Sequence, residues 1–336
     1  MKEITISPVF IKGLLEGSII KGYSQDEILQ AQGLSSRILT NPKLRVSAKT
    51  FSELSYAVTQ LLRDEAYGLL AKPMPLGTFN LLARACLSGD TIKDCLNVWR
   101  DSNNLLNNSL VAYTYFSDNG GCLVIKDTKH VGVQSNFIIE SILTSAHRLH
   151  CWLANEYLPI EKIDLTCSEP EFSEEYRFVF YGALVRFNQK QNAIYFSRQT
   201  LELCCHRDKT DLNKLLKRPY LSLLRQPKQS KSTYIRIRIW MENLFREGNS
   251  NPLLDQAAEH MNLTEQTLRR YLHKEGYSFQ QLKDDTRRDM AMFFIDRKEQ
   301  SIEDIAFRLG FSEASTFIRA FKKWTGLTPL AYRKLT

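Results

Sequence analysis

The sequence predicts a multi-domain chain: an α+β N-terminal domain followed by an all-α C-terminal domain with two helix-turn-helix motifs. Three observations carry this. One residue pattern occurs twice in the C-terminal third, as NPLLDQAAEHMNLTEQTLRRYLHKEG and as SIEDIAFRLGFSEASTFIRAFKKWTG. Runs rich in Val, Tyr and Thr alternate with helical stretches before position 206 and not after it. The formal net charge of +8 is confined to one segment, with ten basic and two acidic residues between Arg207 and Arg238. Boundaries follow: an α+β domain over 1–206, a basic linker over 207–232, and a helix-turn-helix domain over 233–336.

The first domain opens helical. Ser24-Gln25-Asp26-Glu27 is a capping box for a short helix ending before Gly33. Ser47 caps a longer one in which Phe51, Leu54, Val58, Leu61 and Leu62 keep helical spacing, and Pro73 and Pro75 close it. Asp90 or Thr91 starts another through Leu96 and Trp99. Ser109 to Phe116, the turn Asp118-Asn119-Gly120-Gly121, and Cys122 to Lys126 read as a hairpin. A helical stripe from Phe137 to Leu153 and short extended pieces at 160–166, 184–187 and 193–196 complete a small sheet packed with helices. Asp208 to Leu224 reads as one helix, and Arg225 to Ser232 as the hinge.

In the last domain, Ile237, Trp240, Met241, Leu244 and Phe245 form the apolar face of a first helix; Ile235-Arg-Ile-Arg-Ile also fits a strand that stops at Trp240. The repeats then occupy about 252–275 and 302–324. Ala258 and Ala306 let a second helix cross closely, and Asn262 and Gly310 bend the chain, a place that favours positive φ. Thr264 and Ser312 are the expected N-caps of the second helices, whose Leu268 and Leu272, or Phe317 and Phe321, face the core. Arg270 and Arg319 lie between them and point outward. This is the arithmetic of a helix-turn-helix, whose second helix enters a major groove. Ser278-Phe279-Gln280-Gln281 caps a connecting helix that reaches about Asp296. A rod of that length, roughly 25 Å, holds two such helices near one DNA turn (roughly 34 Å) apart.

With these residues in view, the C-terminal region resembles the DNA-binding domain of the AraC/XylS family of bacterial transcription regulators. The resemblance rests on Ser278-Phe279-Gln280, on Asp304 to Ser312, on Phe317 to Pro329 and on Tyr332-Arg333. Leu76 to Phe79, Thr91 to Leu96, and Val185 to Phe196 resemble the ligand-sensing domain of one branch of that family. The resemblance implies a ligand-responsive activator that binds double-stranded promoter DNA, contacts RNA polymerase and answers to a small-molecule effector; a DNA-binding regulator without small-molecule input is the alternative. Homodimerisation is implied by it alone, since no heptad run is present. By motif position the base readers are Gln266, Thr267, Arg269 and Arg270 in the first copy and Ser315, Thr316 and Arg319 in the second, with Ala314 apolar beside them. Lys274, Lys322, Lys323 and Arg333 are candidate phosphate contacts, which position without specifying sequence, and the basic linker adds sequence-blind affinity.

Cys204-Cys205-His206-Arg207 resembles the methyl-acceptor site of DNA alkyl-transfer proteins, which would make Cys205 a nucleophile; paired structural thiols are the plainer reading. His147-x-x-His150 lacks the Glu of a zinc hydrolase and reads as helix-surface histidines. No Cys-x-x-Cys, Gly-rich phosphate loop or nucleophile elbow occurs, so no metal, cofactor or enzymatic activity is expected. Tyr113, Tyr115, Phe116, Phe137 and Trp152 suit either an effector pocket or a core, and Arg84 or Arg148 an effector carboxylate; no effector-binding residue is assigned. The chain opens MKEITISPVF without a secretory signal, and no apolar run approaches a membrane span, so a cytoplasmic location is expected.

Overall fold

The computed structural model describes residues 5–41, 44–106, 109–127, 136–180, 183–224, 232–248, 251–296 and 299–334. They form two compact units: Met1–Ile11 with Asp26–Phe51 and Lys231–Thr336, and Lys12–Gln25 with Ser52–Ser230. This division departs from the sequence boundaries, which placed everything before 206 together. Two N-terminal segments belong instead with the C-terminal helices.

In the first of these units, β1 (Thr5–Ile6) pairs antiparallel with β2 (Val46–Ser47), Thr5 opposite Ser47 and Ile6 opposite Val46. An opening helix, Thr233–Glu247, is capped by Ser232, whose side chain accepts from the Ile235 amide, and ends on Gly248. The strand reading of Ile235-Arg-Ile therefore yields to helix, because Ile235, Ile237, Met241 and Phe245 share one buried stripe. Next come Leu254–His260 and Glu265–Lys274, a bridging helix Phe279–Asp296, then Ile302–Arg308, Ala314–Thr325 and Pro329–Arg333.

A buried ionic cluster ties the N-terminal strand to this helical set. Asp289 on the bridging helix accepts from Thr5 Oγ1 (2.6 Å) and from Arg238 Nη2 (2.6 Å). Arg238 also reaches Glu242 at 3.0 Å and the Tyr234 hydroxyl at 3.2 Å, while Arg45 donates to Thr5 Oγ1 (2.8 Å) and to the Thr5 carbonyl (2.9 Å). Burial opposes ionisation of Asp289, but Arg288, Arg238 and Arg45 outweigh it and hold the carboxyl at about 2. Arg238 was counted in the basic segment beside the DNA-binding region; it is 2% exposed and spent inside. Two bonds extend the tie: Tyr332 donates to the Arg45 carbonyl (2.6 Å), and Asn41 Nδ2 to the Thr325 carbonyl (3.0 Å).

The other unit is α+β. Its sheet has the order β3-β4-β7-β5-β6, with β3 Leu110–Ser117, β4 Gly120–Asp127, β5 Lys162–Asp164, β6 Leu184–Arg186 and β7 Asn192–Ser197. Only β5 and β6 run parallel. The expected hairpin is β3–β4, in register from Leu110 opposite Asp127 to Ser117 opposite Gly120. Cys122 to Ile125 are buried on both faces of β4, as a central strand requires. Helix Ile92–Leu105 starts in a reciprocal capping box between Thr91 and Asp94. The helix expected over 208–224 is two, Lys209–Leu216 and Pro219–Leu224, because Pro219 has no N–H to continue the ladder. The hinge at 225–231, including Lys228 and Lys231, lies outside the described residues.

Helix Phe137–Leu153 buries His147 and His150 rather than exposing them. His147 Nε2 meets the Leu158 carbonyl at 2.8 Å and His150 Nδ1 the Ala146 carbonyl at 2.7 Å. Burial lowers both imidazoles, His147 to about 3. Among the described residues, no group of three His, Cys, Asp or Glu is placed to hold a metal ion, and no helix is long and apolar enough to cross a membrane.

Candidate nucleic-acid interface

Each repeat folds as two helices around one turn, and the turns match bond for bond. Asn262 has φ +54° and Gly310 φ +82°. Leu263 N donates to the Ala258 carbonyl at 2.9 Å, and Phe311 N to the Ala306 carbonyl at 3.0 Å. These bonds close a left-handed helix end on two residues that tolerate it. Ala258 and Ala306 are buried at the crossings.

The second helices follow. In the first copy, Thr264 Oγ1 accepts from the Thr267 amide at 3.2 Å and starts Glu265–Lys274. In the second, the cap is Glu313, not Ser312, and its side chain makes no cap bond. The additional residue of this copy is thus absorbed in the turn, and the two recognition helices begin in the same register. Gln266 corresponds to Ser315, Thr267 to Thr316, Leu268 to Phe317, Arg270 to Arg319 and Leu272 to Phe321. The last of these apolar pairs, like Leu268 and Phe317, are fully buried.

The opposite faces are open. Gln266, Arg269, Arg270, His273 and Lys274 are exposed on the first helix, and Ser315, Arg319, Lys322 and Lys323 on the second. Thr267 and Thr316 are half-buried, and Thr267 Oγ1 accepts from Thr264 at 3.0 Å, so its hydroxyl serves the cap. Arg269 meets Glu265 at 3.5 Å, an exposed pair that costs little to break. Arg270 lies 5.5 Å from the Tyr271 ring, and Arg319 is 3.4 Å from Thr316 Oγ1. Ser315 Oγ donates to Glu313 at 3.0 Å, which places a carboxylate at the reading end of the second helix. Arg333 is half-buried and donates to the Gln300 carbonyl at 2.8 Å, so it braces the start of the second motif.

Two features were not read from the sequence. Tyr271 and Ile318 are exposed on the recognition helices, Ile318 at the register of Arg269; the repeat pattern sets that register, and the exposure is what the fold adds. Glu275, just past the first recognition helix, accepts from Ser232 Oγ (2.8 Å) and from the Thr233 (2.8 Å) and Tyr234 (2.9 Å) amides. A carboxylate on the N-terminus of the opening helix fixes the recognition helix to it.

Two family models match this chain. The N-terminal arabinose-binding domain of AraC transcription regulators spans residues 22–204, and a helix-turn-helix domain spans 257–335. The chain belongs to the AraC family of transcription regulators. Among its relatives, the ornithine utilization regulator of Pseudomonas aeruginosa is 26% identical over 97% of this chain and 95% of its own length. The urease operon transcriptional activator of Escherichia coli is 38% identical over 24% of this chain and 27% of its own, and the activator FapR of the same organism 38% over 26% and 33%. This AraC-type chain is a DNA-binding transcription regulator with a ligand-type N-terminal domain, in a family of regulators rather than enzymes. Its Cys205 Sγ lies 3.2 Å from Cys95 Sγ.

The ligand-type domain gives mixed answers on its candidates. Tyr113 and Tyr115 stack on each other and are exposed, Trp152 is half-buried under Arg207, and Phe137 is buried against Tyr67. Arg84 is an exposed helix residue bonded to Asn80, not an interior cation. Arg148 is buried and donates to the Leu223 and Val179 carbonyls, both at 3.3 Å.

Proposed function

We propose that this AraC-family regulator is an effector-responsive activator whose two recognition helices read adjacent major grooves of promoter DNA. The observation that carries the reading is the pair Arg270 and Arg319, exposed at one register position on two helices that begin alike. The bridging helix has 18 residues, about 27 Å of rise, the scale of one DNA turn. Gln266, Thr267, Arg269 and Arg270 read bases from the first helix, and Ser315, Thr316 and Arg319 from the second. An arginine fork on a guanine edge is the commonest such contact. Lys274, Lys322 and Lys323 hold phosphates; Arg333, already engaged with Gln300, contributes less.

The regulator acts in the cytoplasm, as a homodimer, through contact with RNA polymerase. Ornithine is the first effector to test, from the likeness to an ornithine utilization regulator. A genomic footprint tests the reading: two protected major grooves on one face of the duplex are expected, extended by ligand. Protection without sequence preference refutes it.

A further inference from the structure

Three thiols gather where the segment after β7 returns to the start of helix Ile92–Leu105. Thr91 and Cys204 form an antiparallel bridge, with Ile92 N donating to the Leu203 carbonyl and Cys205 N to the Asp90 carbonyl, both at 2.9 Å. This pairing sets Cys205 Sγ 3.2 Å from Cys95 Sγ. Cys95 is fully buried, Cys205 half-buried and Cys204 exposed. Cys86 lies on the far side of Cys95, whose thiol is 3.1 Å from the Cys86 carbonyl.

We propose that Cys95 and Cys205 form a reversible disulfide when the protein meets a hydroperoxide, which makes Cys205 a peroxide-reactive site. The sulfurs need to close by only about 1.2 Å to reach the disulfide length of about 2.05 Å. The S–H···S bond from Cys95 holds the Cys205 thiol below its ordinary value, against desolvation and the carboxylates of Asp94 and Asp90. The same contact, with burial, pushes Cys95 up, and burial pushes Cys86 up to about 12. Cys205 is therefore the thiol that solvent reaches and the readier of the two to lose its proton, and Cys95 the resolving thiol behind it.

The Cys205 thiolate attacks one peroxide oxygen, the O–O bond breaks, and the other oxygen leaves as an alcohol after taking a proton. Cys205 is oxidised by two electrons to a sulfenic acid. Cys95 sulfur then attacks the sulfenic sulfur; the S–O bond breaks, and hydroxide leaves with the Cys95 proton as water. The sum is two thiols and one hydroperoxide giving one disulfide, one alcohol and one water. A small dithiol reverses it by exchange.

The test is hydrogen peroxide treatment of the full-length reduced protein, followed by intact mass and non-reducing peptide mapping. Loss of two hydrogen masses is expected, mapped to a Cys95–Cys205 cross-link and restored by dithiothreitol. Cys204→Ser should form it at a rate within about twofold of the parent. Cys95→Ser should instead accumulate a Cys205 sulfenic acid that a cyclic 1,3-diketone traps. A Cys204–Cys205 or Cys86–Cys95 cross-link, or Cys204 oxidised before Cys205, overturns the proposal, as does a reduced pair after complete oxidation of Cys204. Unchanged helix content in Cys95→Ser, read by circular dichroism, separates loss of the partner from loss of the fold.

Discussion

Removing the Asp289 carboxylate should cost this protein more than any single change on its DNA-reading face. The side chain is 2% exposed and accepts from Thr5 Oγ1, Arg238 Nη2 and Arg288 Nε at 2.6, 2.6 and 3.2 Å. Asp289→Ala leaves Arg238 buried with Glu242 as its remaining carboxylate and Thr5 Oγ1 without its acceptor. Breaking a buried pair from one side costs about 3–5 kcal/mol. That is a large part of the roughly 5–15 kcal/mol that holds a domain folded. Asp289→Asn keeps the shape and isolates the charge. The carboxyl sits at about 2 in the fold against 3.8 free; at about 1.4 kcal/mol per unit, the charge is worth roughly 2 kcal/mol. Its pKa is depressed, so the contribution is complete above pH 4 and is lost as pH falls through 2. The assay is amide hydrogen exchange of helices Thr233–Glu247 and Phe279–Asp296 across a urea series, which reports this unit separately. Less than about 1 kcal/mol lost in Asp289→Ala, or an Asp289→Asn variant with the parent's acid sensitivity, would sink the argument.

On DNA, Arg270→Ala and Arg319→Ala should each lose about 1–3 kcal/mol at the cognate site and far less on random duplex; equal losses in gel shift would mark both as phosphate contacts. Joint neutralisation of Lys322 and Lys323 should instead flatten the salt dependence of binding by about two units of log–log slope, and an unchanged slope contradicts the phosphate role. Gly310→Ala should destabilise the second motif by about 1 kcal/mol, while Asn262→Gly, already at positive φ, should be neutral in urea melts. Glu140 is buried against the Tyr176 hydroxyl, and burial pushes its carboxyl up to about 7. Raised above 4.5, it favours the fold below that pH, and the benefit disappears as pH rises through 7. Glu140→Gln should remove that slope, about 3 kcal/mol; a melting profile that keeps it points elsewhere.

Local rules made much of this chain legible. The duplicated turn, the boxes at Thr91 and Ser278, and the β3–β4 hairpin are each set by residues within a few positions of one another. Where distance decides, the reading fails. Two-residue strands carry no periodicity, so nothing in Thr5-Ile6 announces Val46-Ser47 as a partner. Arg238 looks like one more cation of the basic run until the fold brings Asp289 to it, 51 positions on. His147 and His150 stand on a helix that mixes polar and apolar letters, and the backbone carbonyls of Leu158 and Ala146 help make their burial tolerable. Ser312 is the better intrinsic cap, yet helix packing starts the ladder at Ala314 and leaves Glu313 in its place. The exposed arginines were legible because a 3.6-residue period divides a recognition helix into faces without help from elsewhere.

The strand at the start of the chain has a consequence for biosynthesis. Thr5 leaves the ribosome 284 positions ahead of Asp289. A growing chain therefore carries β1 and β2 without their helical partner while the intervening residues are made. The cluster can close only once Asp289 has emerged. Closing so long a loop is slow relative to local helix formation. A chain halted before Asp289 thus lacks the buried cluster that ties β1 to the helices.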